Sequence, residues 1–233
     1  MTLLSVVRDV CAAVGVTLPQ SVFSGITGNR TMQEMVSLAN EMAQRIAYDT
    51  RDWTMLRNGG AFTGDGVKLS FPLSANYKRL LLTTNVRRED NPSHPLRFVA
   101  DLDAWQRRRL ENATDSYGEW LINAGEMHIW PVLPLNVRVL FTYLDKNCIN
   151  LSSGGRGDTF MNDLDSFALD ERLLKLAMIY QWKAQKGSSY AEDMSTYGDA
   201  LMIAMGHDQP APIYIDRKPI SASISGTYGG PVP

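Results

Sequence analysis

The sequence predicts an α+β fold: a helical bundle formed by N-terminal and C-terminal helices, an antiparallel β domain inserted between them, and an extended C-terminal arm. Three observations predict it. Apolar residues recur at helical spacing near both ends of the chain. Between those stretches, short apolar-aromatic runs alternate with polar residues and are punctuated by Gly, Asn and Pro. The last segment is rich in proline yet keeps isoleucines two positions apart. The boundaries fall at residues 1–50 for the first part of the bundle, 51–162 for the β domain with one short helix, 163–206 for a helical hairpin, and 207–233 for the arm.

The first helix is expected over residues 2–14, with Leu3, Val6, Val7, Val10, Cys11 and Val14 on one face and Gly15 and Pro19 ending it. Arg8 and Asp9 interrupt this apolar stretch and no basic segment precedes it, so it predicts an amphipathic helix rather than a targeting signal. A second helix is expected over 31–48. Met32, Met35, Val36, Ala39, Met42, Ala43 and Ile46 form its stripe, which reads as core, and Thr31 with Glu34 has the spacing of a capping box.

From Trp53 the pattern changes. Gly59-Gly60, Gly64-Asp65-Gly66 and Asn91-Pro92 punctuate the chain, with Gly64 to Gly66 expected as a hairpin turn. Val67, Leu69 and Phe71 alternate as one buried strand face. Leu80 to Val86 and Pro95 to Val99 read as further strands. A helix starts at Asp101-Leu102-Asp103 and carries Trp105. Residues 117–122, 125–130 and 137–144 are expected as a meander, and 150–160 as a loop. Helical spacing returns at Leu169, Leu173, Leu176, Ala177, Tyr180 and Ala184. After Gly187 it resumes at Tyr190, Met194, Tyr197, Leu201 and Ala204, which predicts an antiparallel helical hairpin.

The chain has 233 residues, 44% apolar and 21% charged, with a net charge of −2. That suits one large or two small globular units and supplies no overall basic field for nucleic acid. No apolar run is long enough to span a bilayer. Cys11 and Cys148 lie far apart and read as reduced core residues. His94, His128 and His207 are scattered without metal-ligand spacing. Asp163, Asp165, Asp170 and Glu171 read as acids at a helix start rather than a cation site, which predicts no metal, no cofactor and no catalytic residue. Arg107, Arg108 and Arg109 form a basic run, candidates for inter-subunit or lumen charges; consecutive helical residues diverge, so the run is not one patch. The arm carries the candidate partner-binding residues Pro210, Ile213, Tyr214, Ile215, Ile220, Ile224 and Tyr228. Its prolines oppose helix, and its isoleucines suit a strand added to another sheet edge.

Trp53, Phe71-Pro72-Leu73, Tyr77, Leu80, Pro95-Leu96, Trp105, Tyr117, Gly125, Ile129-Trp130-Pro131 and Tyr143 follow in order, then Leu173-Leu174, Tyr180, Tyr190 and Tyr197 in the hairpin. Over roughly residues 1–206 this pattern resembles the head-to-tail connector, or adaptor, proteins of tailed bacteriophages. The resemblance implies a structural, non-enzymatic virion protein of the neck between capsid and tail, assembled in the host cytoplasm. It implies a homo-oligomeric ring of twelve copies beneath the portal protein and above a downstream tail or nozzle protein. Such a ring extends the channel through which DNA passes without specific binding during genome ejection, and no membrane is involved. A C-terminal extension that docks on the portal or a neighbouring subunit fits this family. Two alternatives are a neck or tail-completion protein contacting the tail tube and, in a different class, a small metal-dependent hydrolase built on the acidic residues.

Overall fold

Leu3–Val14 forms helix α1 and Arg30–Tyr48 forms α2 in the computed structural model, which describes residues 1–24, 29–81, 84–113 and 115–208. Thr2 and Ser5 cap α1 reciprocally: the Ser5 amide donates to the Thr2 hydroxyl, and the Thr2 amide to the Ser5 hydroxyl. Gly15 closes the helix at φ 73°, a left-handed conformation that glycine adopts without penalty. The expected start of α2 is corrected. Asn29 is the cap, accepting from the Met32 amide, so Thr31 already lies within the first turn. Glu34 closes no capping box and pairs with Arg30 and Lys186 instead. The methionine stripe is core, with Met32, Met35 and Met42 all buried.

The β region begins with a 3-10 turn, Thr54–Leu56, and strand β1, Arg57–Thr63. Strands β2 (Ser70–Pro72), β3 (Tyr77–Leu80), β4 (Arg87–Arg88) and β5 (Arg97–Phe98) precede helix α3, Leu102–Leu110. Strands β6 (Glu119–Asn123), β7 (Glu126–Trp130) and β8 (Arg138–Asp145) follow. One sheet is built on β8, which pairs with β1 on one edge and with β3 and β4 on the other; a second has the order β2-β7-β6-β5.

Several expectations change here. Gly59-Gly60 does not interrupt a strand but lies inside β1, because the Phe141 ring lies where a side chain on Gly60 would sit. Gly64 to Gly66 is not a hairpin turn. The Gly64 amide donates to the Val137 carbonyl at 2.8 Å, extending the β1–β8 ladder, and β2 joins the other sheet. Val67 precedes β2 and is 78% exposed, so the buried alternation is shorter than expected. Leu80 to Val86 is not one strand: β3 ends at Leu80 and β4 starts at Arg87. The meander holds only for the β6–β7 hairpin, whose turn places Ala124 and Gly125 at positive φ. After it, Pro131 and Pro134 supply no amide donors for a return along β7, and β8 crosses to the other sheet. Strand β5 is parallel to β6, an exception to the antiparallel expectation, because α3 provides the crossover between them.

Strands β9 (Ile149–Asn150), β10 (Arg156–Gly157) and β11 (Ser166–Phe167) form a small antiparallel sheet, so the expected loop over 150–160 contains a short strand. Helices α4 (Glu171–Gln185) and α5 (Ala191–His207) follow. Helices α1, α2 and α5 all contact α4. Within the hairpin, Lys183 pairs with Asp193 at 2.6 Å and the Tyr180 and Tyr197 rings lie 5.2 Å apart. The fold is mixed α+β, with five helices among the described residues and mostly antiparallel sheets.

Two main cores result. One joins α1, α2 and α4 with Trp53, Leu144, Ile149 and Phe167. The other gathers Phe71, Trp120, Met127, Ile129, Val139 and Phe141 from the two larger sheets. Strand β8 enters both: Leu144 lies in the first, and Val139, Phe141 and Tyr143 in the second. A small third cluster, Val99, Trp105 and Leu121, packs α3 onto β6.

Candidate functional site

Pro210, Ile213, Tyr214, Ile215, Ile220, Ile224 and Tyr228 lie outside the described residues, and the geometry that bears on the arm is where the chain leaves α5. Asp208 ends that helix and accepts from the Thr54 amide at 3.1 Å and from the Thr54 hydroxyl. Arg51 reaches the same carboxylate at 3.4 Å and donates to the Met205 carbonyl. Asp208 is therefore held beside the 3-10 turn that leads into β1. Sequence reading missed this clamp, since Asp208 and Thr54 are 154 positions apart and neither belongs to a motif.

The three arginines of α3 part company. Arg107 is exposed. Arg109 stacks over the Trp130 ring, 5.8 Å from its centroid. Arg108 reaches inward to Glu119, which is 0% exposed. Removing Arg108 alone would leave Glu119 as a desolvated charge. Glu119 went unnoticed in the sequence because it sits beside Trp120 and Leu121 in an otherwise apolar strand.

The acidic residues 163–171 are also separated by geometry. Asp163 accepts from the Val22 amide at 2.8 Å, the Phe23 amide at 3.2 Å, and the Ser21 hydroxyl. Asp165, almost fully buried, accepts from the amides of Ser152, Met161 and Asn162, each at 2.8 Å. Desolvation raises its pKa, but those amides and the Ser152 hydroxyl outweigh it and hold the carboxyl below its usual range. Asp170 caps α4 through the Arg172 amide. The helix-start reading thus fits Asp170 and Glu171, whereas Asp163 and Asp165 fix loops. Among the described residues, no three His, Cys, Asp or Glu side chains are grouped to hold a metal ion. Asp145 is a further buried carboxylate, accepting from Asn58 at 2.7 Å and Asn76 at 2.8 Å.

His94 stacks on Tyr117 with centroids 4.1 Å apart and bonds Asn91 at 3.0 Å, a loop-stapling arrangement. Cys11 and Cys148 are both free and buried in the helical core. Burial pushes the Cys148 thiol up to about 11, so it stays protonated at neutral pH. Among the described residues no helix is long and apolar enough to cross a membrane.

Helix α5 also presents exposed apolar side chains. Helix α5 has 17 residues, of which Ala200 is the buried one. Tyr197, Leu201 and Ala204 pack partly on the core, but Met202 is 68% and Ile203 57% exposed, and Tyr190 and Met194 are exposed near the hairpin loop. The expected stripe is therefore half-buried at Tyr197, Leu201 and Ala204 and exposed at Tyr190 and Met194. Compared with known proteins, the chain matches no family model and no curated sequence.

Proposed function

We propose that the protein is a head-to-tail adaptor of a tailed phage, one copy of a ring that lies under the portal, extends the DNA channel and joins capsid to tail. In this reading α1, α2, α4 and α5 form a helical bundle, the β region is an insertion that meets the next tail component, and the docking arm, expected over 207–233, is reduced to 209–233 because α5 runs through His207 and Asp208 caps it. The observation that carries it is the outer face of α5, where Met202 and Ile203 stand more than half exposed on a helix with one buried residue. Adjacent exposed apolar side chains on one helix suit a surface that another protein covers. A closed ring covers the same patch on every copy, and repeated arms let individually weak contacts act together. The buried carboxylates support the reading from the other side, since each is used to hold loops and strands.

Negative-stain images of the protein alone and with the portal protein of the same phage test the reading. Rings bound coaxially to portal are the expected result, with binding weakened when residues 209–233 are removed and the Asp208 clamp is kept. Undiminished portal binding by the shortened chain sinks the docking role of the arm, and absence of any ring with portal sinks the adaptor reading.

A further inference from the structure

Strand β1 has one unpaired edge among the described residues, and its hydrogen-bonding groups can be assigned. The Leu81 amide donates to the Thr142 carbonyl and the Glu89 amide to the Arg138 carbonyl, so the even-numbered residues of β8 face β3 and β4. Its odd-numbered residues, 139, 141 and 143, therefore face β1, where their partners are Phe62, Gly60 and Asn58. That leaves the backbone groups of Arg57, Gly59, Ala61 and Thr63 on the outer edge; the Arg57 amide is taken by the Thr54 carbonyl, and the Arg57 carbonyl and the amides and carbonyls of the other three point out of the sheet. All four are exposed. An open edge of this length is a template for one more strand.

The residues that follow Asp208 are suited to one side of such a template. In an extended segment the backbone groups of alternate residues face opposite edges. Pro210 and Pro212 share one edge with Tyr214, and two missing amides make that edge a poor partner for any strand. Ala211, Ile213 and Ile215 share the other edge with every amide intact.

We propose that in the free chain residues 211–215 add to the open edge of β1 as a parallel strand. Asp208 is held at Thr54, three residues before β1 begins, so a segment continuing from it along this edge would run parallel to β1. Three residues beyond the clamp, about 10 Å of extended chain, suffice to bring Ala211 level with Asn58. In parallel pairing each arm residue bonds the two β1 residues that flank its opposite number. Ala211, Ile213 and Ile215 then lie opposite Asn58, Gly60 and Phe62, and their groups satisfy the Arg57 carbonyl, both backbone groups of Gly59 and Ala61, and the Thr63 amide. The same register decides the face. Phe62 packs against Phe71 and Phe141 on the inner side of the sheet, so Ile213 and Ile215 fall on that side, next to a half-buried ring and beside a glycine. The prolines select the edge, and the edge in turn places the isoleucines against apolar surface. These two features of the sequence are independent, and they agree.

The inference concerns the chain before assembly and does not depend on the adaptor reading. A chain that docks on portal but leaves β1 open refutes this proposal alone. The test is residue-resolved amide exchange on the full chain, comparing Ile213→Pro with Tyr214→Pro. The amides of Gly59, Ala61 and Thr63 are expected to exchange at least about tenfold more slowly than free edge amides. Ile213→Pro removes an inward donor and is expected to abolish that protection. Tyr214→Pro removes an outward one and is expected to spare it, and Leu121 in β6 reports that the rest of the fold is intact in both. Fast exchange at Gly59, Ala61 and Thr63 in the unsubstituted chain overturns the proposal, as does equal loss in the two variants. Protection that fades on dilution also overturns it, because the added strand would then come from a second copy.

Discussion

Helices α4 and α5 are adjacent in sequence and packed together, yet they are built in opposite ways. Helix α4 buries Leu173, Leu174, Ala177, Met178, Ile179 and Trp182 and is touched by three other helices. Helix α5 is two residues longer and buries Ala200. Both show apolar residues at helical spacing. The difference teaches that such spacing reveals a face that needs cover without revealing what covers it. For α4 the cover is the chain itself; for the outer side of α5 it is proposed to be another copy.

Substitutions can break this contrast, beginning with the largest effect. Leu174→Ala, at a fully buried site in α4, is expected to cost about 3 kcal/mol in denaturant unfolding, through lost burial and a residual cavity. Arg108→Ala is expected to cost nearly as much, about 3 kcal/mol, because Glu119 is left as a buried unpaired charge; adding Glu119→Gln should recover part of the loss, read as a coupling in a double-mutant cycle. Asp165→Asn, in the loop leading into α4, is expected to cost about 2 kcal/mol at neutral pH. The sign with pH follows from its lowered folded-state pKa. The stabilisation is complete above the unfolded value of about 3.9 and is lost as pH falls through the lower folded value. Unfolding curves of the two proteins should therefore converge in acid, and a difference that grows there would contradict the assignment. On the outer face of α5, Met202→Glu is expected to change stability by less than about 0.5 kcal/mol.

Much of the helical architecture was legible from the sequence because its signal is local. The stripe from Met32 to Ile46, the cap at Asp101 and the hairpin loop at Gly187 each follow from residues close together in the chain. The sheets were less legible because pairing is a long-range property. Strand β8 carries an ordinary alternation, and nothing in it says that β1, more than 80 positions earlier at Arg57↔Leu144, is its partner. Gly59-Gly60 has the composition of a turn, and it is the Phe141 ring across the sheet that makes glycine necessary within a strand. The arginine run was visible, but the division of labour among its members depends on Glu119 and Trp130, which arrive from other strands. The clamp at Asp208 is of the same kind, being formed by side chains that meet only after folding.

The central claim is that the apolar outer face of α5 is an assembly surface. Light scattering on the full chain, with and without the double substitution Met202→Glu/Ile203→Glu, tests it most directly. The account predicts that the unsubstituted chain reaches the mass of a closed ring in the presence of portal, while the double variant stays monomeric with an unchanged denaturation midpoint. A double variant that assembles as readily as the unsubstituted chain would contradict it.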